Sequence, residues 1–292
     1  MTLYYFVSDL HGDIHRYQAL IIQILKENPT AVFLGGDLLP SNKVKTNQNQ
    51  DPINNFINDF LFPELGSIKK IMGENYPMFF AILGNDDPKT AEQDLMAHEN
   101  GDLLTYIHGK WSNLDRFKVF GYSFVPPTPF QLKDWEKYDV SRYLDPGCIA
   151  PEDGWHSTSL EENNELIHIT IQDDLQAFFG DNDLSDVIIL FHAPPYNSKL
   201  DRTDLDNCYI DYVPIDVHTG SVAIKNLIEQ KQPLITLHGH IHESPRLTGS
   251  WMEKTGRTYS FSAAHDGPEL ALIRFDPENP GLATRELIPQ FK

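Results

Sequence analysis

The sequence is poor in cysteine and has no long apolar stretch. Among its 292 residues only Cys148 and Cys208 are cysteines, and they show neither metal-binding nor redox spacing. A disulfide framework is therefore not expected, and both thiols should be reduced. No apolar run approaches the about 18 residues that a membrane-spanning helix needs, and no repeat is visible. These absences predict a soluble globular protein.

Basic residues are also scarce. The chain carries 42 acidic residues against 23 basic ones, a formal net charge of −19. Long-range repulsion argues against nucleic acid and anionic membranes as partners, whereas a small anionic substrate needs only a local cluster of cations. The first residues show no basic segment followed by an apolar one and a cleavage site, which predicts a cytoplasmic location. The sequence leaves the oligomeric state open.

Short apolar runs alternate with helical patterns along much of the chain. Continuous apolar runs are typical of strands that are covered on both faces, and they lie at 3–13, 31–37, 78–87, 187–195 and 233–242. Helical periodicity marks 17–28, 54–75 and 221–232, and the second of these patterns is expected to break near Pro63. This alternation predicts an α/β protein, and we interpret 1–292 as a single domain.

The middle of the chain has a different character. Residues 124–157 are rich in proline, aspartate and aromatic residues and follow neither strand nor helix periodicity. A loop of this length in a compact protein is usually functional or disordered. Five of its aromatic residues favour order: Phe130, Trp135, Tyr138, Tyr143 and Trp155. We predict an ordered insertion packed over one edge of the domain; the alternative is a surface loop without a role in function.

Each of the five apolar runs ends in side chains that can bind a metal ion. These side chains are Asp9, His11, Asp37, Asn85, His192, His240 and His242. In open α/β sheets the carboxyl ends of the strands form the crevice in which ligands bind. Each signal is weak by itself, but together and in this order they predict one metal site assembled from distant parts of the chain.

The same residues carry a family resemblance. The sequence has Asp-Leu-His at 9–11, Gly-Asp at 36–37, Gly-Asn-Asp-Asp at 84–87, His192, and Gly-His-Ile-His at 239–242. This series resembles the calcineurin-like metallophosphoesterases, whose pattern is D-x-H, G-D, G-N-H-[DE], H and G-H-x-H. The resemblance implies a four-layer α/β/β/α sandwich with two metal ions at its edge.

Carried over residue by residue, the resemblance implies two metal sites that share one carboxylate. Its assignments are Asp9, His11 and His242 for one ion, Asn85, His192 and His240 for the other, and Asp37 as the bridge. Mixed nitrogen and oxygen ligands suit divalent manganese, iron or zinc. Two such ions acidify a shared water, so the implied nucleophile is a bridging hydroxide. Asp37 and Asn85 are thereby also catalytic candidates.

Asp86 departs from the family pattern. At this position the family has a histidine, and the resemblance implies that it acts as a general acid or as a hydrogen-bond donor to the phosphate. An ordinary aspartate has a pKa of about 3.9 and is an anion at neutral pH, so it neither donates a proton nor attracts phosphate. Loss of general acid catalysis typically costs about 10²–10⁴-fold when the leaving group needs a proton. The departure favours phosphodiesters or activated phosphates over ordinary monoesters.

Other residues are candidates for the surroundings of the site. Asp86, His218 and His265 are predicted to contact substrate, whereas His238 is expected to play a supporting, buried role. The segment 217–221 leads into a helix N-terminus that can receive a phosphate, and ordinary capping by Ser221 is the alternative. Asp87 matches the acidic residue that ends the family's third motif.

The sequence therefore predicts a hydrolase of phosphoric esters. We expect two divalent metal ions and a small phosphorylated substrate, which is a phosphodiester, a nucleotide or an activated phosphate. Two alternatives stay open: a phosphoprotein phosphatase, and a catalytically weak metal-binding scaffold of the same fold.

Overall fold

The computed structural model describes residues 2–40, 53, 56–97, 103–159 and 169–290. These residues form two six-stranded sheets, a small hairpin and helices on the outer faces of the sheets. Among them, no helix is long and apolar enough to cross a membrane.

The first sheet contains the N-terminal strands. Its order is β14-β13-β1-β2-β3-β4, with β1 to β4 parallel and β13 antiparallel to both of its neighbours. Its strands are β1 (Tyr4–Val7), β2 (Ala31–Gly35), β3 (Met78–Ile82), β4 (Thr105–Tyr106), β13 (Leu270–Phe275) and β14 (Thr284–Ile288).

The second sheet is built from the later part of the chain. Its order is β11-β12-β10-β7-β6-β5; the four inner strands are parallel and both edge strands are antiparallel to their neighbours. Its strands are β5 (Trp111–Leu114), β6 (Phe117–Tyr122), β7 (Val187–Phe191), β10 (Ile235–His238), β11 (Met252–Thr255) and β12 (Thr258–Ser262). The separate hairpin pairs β8 (Tyr209–Ile210) with β9 (Val213–Pro214).

The helices follow from local capping and patterning. They are α1 (Ile14–Glu27), α2 (Phe62–Met72), α3 (Ala91–Ala97), α4 (Ile171–Phe179), α5 (Val222–Lys231) and α6 (Ser244–Thr248). The Asp13 side chain caps α1, and Asn28 ends it in the left-handed conformation before Pro29. A π-helix, Phe56–Leu61, runs without a gap into α2, so the helix predicted over 54–75 changes its geometry next to Pro63 and is not broken there. Residues 54 and 55 of that prediction lie outside the described residues.

Alternation along the strands divides the interior into two kinds of core. Phe6, Phe33 and Phe80 of the first sheet pack against Leu190 and Leu237 of the second, which fills the space between the sheets. Their neighbours along the strands face the helices instead, as Tyr5 and Ile189 do. The four-layer α/β/β/α fold predicted from the sequence is confirmed.

Residues 124–157 are anchored on the domain by buried groups. Trp135 is fully buried and Tyr138 nearly so, whereas Phe130, Tyr143 and Trp155 are exposed. The ammonium group of Lys133 lies 2.5 Å from a carboxylate oxygen of Glu136, and both side chains are completely buried. The prediction of a single domain over 1–292 includes ranges outside the described residues and stays a prediction.

Candidate metal centre

The strand ends that carry the predicted ligands meet at one edge of the two sheets. Asp9 and Asp37 each lie two residues beyond a strand of the first sheet, and Asn85 lies three residues beyond β3. His192 follows β7 directly, and His240 lies two residues beyond β10. Because β1, β2 and β3 are parallel neighbours, and β7 and β10 are as well, their carboxyl ends converge.

Four of the predicted ligands have left-handed backbone conformations. The φ angles of Asp9, His11, Asp37 and His240 are 56°, 47°, 52° and 73°. Residues other than glycine rarely adopt this region, and such strain is concentrated at functional sites. Backbone hydrogen bonds from Asp9 to Gly36 (2.9 Å) and from His11 to Asp37 (2.8 Å) hold the two turns together. The chain thus turns sharply after β1 and β2 to present these side chains.

One group of ligands surrounds Asp9. Asp9, His11, Asp37 and His242 each offer an atom within 4.8 Å of the others. The Nε2 atoms of His11 and His242 are 3.3 Å apart, and His242 Nε2 lies 3.3 Å from Asp9 Oδ1. Four donor atoms at this spacing could hold one metal ion.

A second group surrounds His192. Its Nε2 atom lies 3.1 Å from Asn85 Oδ1 and 3.3 Å from Asp37 Oδ2. The ring of His240 lies beside it, with 5.2 Å between the ring centroids. Asp37 contacts both groups, because its Oδ2 atom is also 4.0 Å from His11 Nε2.

The donor set and the space around it fit divalent metal ions. His192 donates from Nδ1 to the carbonyl of Gly35 (2.8 Å), which orients Nε2 towards Asp37 and Asn85, as is usual for metal-binding histidines. Glycines make room for the ligands: a Cβ atom on Gly84 would lie 2.6 Å from His192 Nε2, and one on Gly239 would lie 2.7 Å from Asp9 Oδ2. Carboxylate, amide and imidazole donors together match borderline ions.

The electrostatics of the site keep its carboxylates charged. Burial acts to raise the pKa of Asp37, but His192 and His11 outweigh it and lower the pKa to about 2. The pKa of Asp9 is likewise held well below its ordinary value, because His242, His192 and His11 outweigh the effect of burial. Burial and the neighbouring His192 lower the pKa of His240 to about 3.

Asp86 lies at the rim of the site. Its backbone nitrogen donates to Asp37 Oδ1 (2.8 Å), and its Oδ2 atom lies 3.8 Å from His11 Nδ1. Its side chain is 34% exposed, whereas that of Asp37 is only 4% exposed. The carboxylate therefore stands beside the ligands and is reachable from solvent.

The carboxylate of Asp87 links the turns that follow β2 and β3. It is fully buried, and its carboxylate accepts hydrogen bonds from the backbone nitrogens of Gly84 (2.9 Å), Leu38 (3.0 Å) and Leu39 (2.8 Å). Burial and the charge of Asp37 raise the pKa of Asp87 to about 7 despite these bonds. Asp87 joins the turn after β2 to the turn after β3.

The remaining predicted histidines have partners of their own. Both ring nitrogens of the buried His238 are engaged, with the carbonyl of Ala193 and the hydroxyl of Thr236, each at 2.8 Å. His218 Nδ1 lies 2.8 Å from Asp201 Oδ1, and His265 Nε2 lies 2.9 Å from Glu269 Oε2. Substrate binding by His218 and His265 stays a prediction.

A carboxylate occupies the helix N-terminus that follows 217–221. Ser221 caps Ile224 (3.0 Å), and Asp139 accepts hydrogen bonds from the Ser221 hydroxyl (2.5 Å) and the Val222 nitrogen (2.6 Å). The segment therefore leads into an ordinary helix cap, which is the alternative to phosphate binding that the sequence left open.

Arg16 is a supporting residue that the sequence patterns do not reveal. Its guanidinium donates to the carbonyl of Asp9 and to that of Gly267, both at 2.6 Å. It thereby joins the first ligand turn to the turn that contains His265. The only sequence signal is its position in the first turn of α1, shortly after the Asp-Leu-His motif.

Comparisons with known proteins agree with this geometry. The model of the calcineurin-like phosphoesterase family matches residues 3–244, a range that contains all seven predicted ligands. The chain therefore belongs to the calcineurin-like phosphoesterase family, a class of phosphoric ester hydrolases. The resemblance inferred from the five motifs is confirmed.

Individual proteins match this chain over a short segment or at low sequence identity. An uncharacterized protein of Methanocaldococcus jannaschii is 40% identical over 63 residues, which are 21% of this chain and only 25% of that protein. The crystal structure of TT1561 from Thermus thermophilus aligns over 99% of both chains with a TM-score of 0.54 and 13% identity. Another crystal structure aligns over 98% of this chain and 99% of its own, with a TM-score of 0.57 and 14% identity. The two structures are similar to this chain in fold alone.

Proposed function

We propose that the chain is a dinuclear metal-dependent phosphoesterase that hydrolyses a small phosphodiester, a nucleotide or an activated phosphate. The position of Asp37 carries the proposal. Its Oδ2 atom lies 4.0 Å from His11 Nε2 and 3.3 Å from His192 Nε2, so one buried carboxylate lies between two groups of ligands. A shared carboxylate of this kind is what a pair of neighbouring cations requires.

The ligands divide between two ions. We assign Asp9, His11 and His242 to one ion and Asn85, His192 and His240 to the other, with Asp37 shared. Manganese, iron and zinc ions suit these donors. When bound, two such ions would acidify a shared water and polarise the phosphoryl oxygens.

The protein side chains set the charge that a substrate meets. The carboxylates of Asp9 and Asp37 would offset the positive charge of bound ions, and His192 is held in place by the Gly35 carbonyl. Asp86 adds a negative charge near His11, at the position where the family has a proton donor. A monoester dianion is repelled more strongly by this carboxylate than a diester with one negative charge, which supports the preference for diesters.

Metal analysis and two chromogenic substrates test the proposal. We expect the purified protein to bind two manganese or zinc ions per chain and to hydrolyse bis(p-nitrophenyl) phosphate faster than p-nitrophenyl phosphate. Asp37→Asn is the matched variant: it should keep the circular dichroism spectrum but lose bound metal and turnover. Absence of both metal and metal-dependent turnover in the wild type would refute the proposal. Phosphate release from a phosphopeptide, with diesters inert, would instead support a phosphoprotein phosphatase.

Asp86 also favours a second candidate, a metal-binding scaffold with little catalysis. The missing proton donor at position 86 would weaken catalysis. All seven proposed ligands are present, so metal binding would be kept. Two bound ions per chain combined with no turnover across a broad panel of phosphate esters would support this candidate.

A further inference from the structure

The loop that carries Asn85 and Asp86 is held at both of its ends. This loop, residues 84–90, lies between β3 and α3. At its start, the Gly84 and Asp86 nitrogens donate to the carboxylates of Asp87 and Asp37. At its end, the Lys89 nitrogen donates to Asp134 Oδ2 (2.7 Å) and the Thr90 nitrogen to Ser157 Oγ (3.2 Å). The second anchor comes from the segment 124–157.

Asp134 is built for this contact. Its side chain is completely buried, and it also accepts hydrogen bonds from the nitrogen of Ser157 (2.9 Å) and from the Ser157 hydroxyl. A buried carboxylate is stable only when several donors compensate for its lost hydration, and such charge-assisted bonds are the strong ones. The bond to Lys89 is therefore a firm link.

The backbone around Asp134 is itself fixed. The Lys133 nitrogen donates to the carbonyl of Trp155 (2.8 Å), and the Trp155 nitrogen donates to the carbonyl of Gln131 (2.7 Å). The neighbouring Trp135 is fully buried, with the ammonium group of Lys89 5.5 Å from its ring centroid. Asp134 therefore projects from a backbone segment that is held by hydrogen bonds and by the buried Trp135.

We propose that Asp134 is a positioning residue, which sets the placement of Asn85 and Asp86 by holding the end of the loop 84–90. This inference rests on the proposed function, in which Asn85 binds a metal ion and Asp86 places a negative charge near His11. Asp134 acts through the backbone of Lys89 and does not itself touch substrate.

The chain offers a matched control in Asp139. This aspartate belongs to the same segment and also accepts backbone hydrogen bonds, but from Val222 at the start of α5 instead of from the loop 84–90. Asp134→Asn and Asp139→Asn therefore remove the same charge from the same segment. Only the first weakens a contact to the metal-ligand loop, because the amide has one acceptor oxygen where the carboxylate has two.

Hydrogen exchange measured by mass spectrometry tests the positioning directly, without any need for catalysis. In Asp134→Asn we expect peptides that contain residues 84–91 to exchange about tenfold faster than in the wild type, the change expected for losing one hydrogen bond to a charged group. Asp139→Asn should leave these peptides unchanged. Equal exchange in the two variants would overturn the proposal, even if the wild type were catalytically inactive.

Kinetics separate positioning from a structural role. With manganese in excess, Asp134→Asn should lower kcat for bis(p-nitrophenyl) phosphate about tenfold with KM within about twofold, because a small misplacement of reacting groups costs rate more than binding. Asp139→Asn should keep the wild-type kcat. If Asp134→Asn does not fold, Ser157→Ala, which removes the acceptor for Thr90 and one donor to Asp134, should give a smaller change in the same direction. A kcat equal to that of Asp139→Asn would show that Asp134 is merely structural.

Discussion

Asp86 is the side chain that most distinguishes this site from the family pattern. It replaces a histidine in the third motif and lies 3.8 Å from His11, close enough to influence whatever binds beside that ligand. Its carboxylate carries the wrong charge to donate a proton to a leaving group at neutral pH. We therefore expect diesters and activated phosphates to be better substrates than ordinary monoesters, because their hydrolysis depends least on such a proton.

Asp86→His should therefore change the substrate preference. We expect hydrolysis of a monoester with a poor leaving group, such as glycerol phosphate, to rise at least about tenfold, within the about 10²–10⁴-fold that general acid catalysis supplies. Phosphate release measured with and without manganese checks this, with Asp211→His at the exposed hairpin turn as the control for an added histidine. A monoester rate that stays at the wild-type level, with metal content unchanged, would contradict the role given to position 86.

Other residues matter through their backbone rather than their side chain alone. Four of the proposed ligands have a left-handed backbone conformation: Asp9, His11, Asp37 and His240. Hydrogen bonds join their turns to one another, and Arg16 donates to the carbonyl of Asp9. The backbone thus holds these side chains in a fixed arrangement, and a fixed arrangement lowers the cost of ordering them on binding.

Helix α5 and the segment 124–157 form the clearest case of one element stabilising another. Ser221 alone would cap the helix, and Asp139 adds a negative charge at its positive end. Among its contacts with the rest of the domain, the insertion is attached to α5 by Asp139 and to the loop 84–90 by Asp134.

Asp139→Ala should destabilise the fold without changing its architecture. Since it removes a charged cap but leaves Ser221, we expect the free energy of unfolding to fall by about 1–2 kcal/mol. Urea denaturation followed by circular dichroism measures the change. Asp181→Ala, at an exposed position, should stay within about 0.5 kcal/mol of the wild type. Equal stability of both variants would mean that the cap contributes nothing.

The proposed metal site draws its ligands from both sheets. Asp9, Asp37 and Asn85 follow strands of the first sheet, and His192 and His240 follow strands of the second. Ions that bind these residues would join the two halves of the sandwich and bind the folded chain only.

Removal of metal should lower the thermal stability of the protein. Binding at a free metal concentration 100 times the dissociation constant stabilises the folded state by about 2.7 kcal/mol, which is several degrees for a chain of this size. Differential scanning calorimetry after chelation, and again after manganese is restored, should show a loss and recovery of this order. Asp37→Asn should show neither, and a wild-type Tm that is indifferent to both treatments would argue against the site.

Much of the site could be predicted from the amino-acid sequence alone. The residue types of the seven proposed ligands, their order at the strand ends and the aspartate at position 86 are all local properties of short motifs. The α/β alternation is local as well, because apolar runs and helical periods report burial within a few residues. These features led to the fold and the family, and both are confirmed.

The tertiary structure decided which partner each polar group has. Three histidines alternate at 238, 240 and 242, yet both ring nitrogens of His238 form hydrogen bonds, one with Ala193 and one with Thr236. The helix N-terminus after 217–221 is occupied by Asp139, and Asp134 reaches Lys89 from 45 residues away. Such pairings depend on contacts between segments that are distant in the chain, and hydrophobic periodicity and motif spacing carry no information about them.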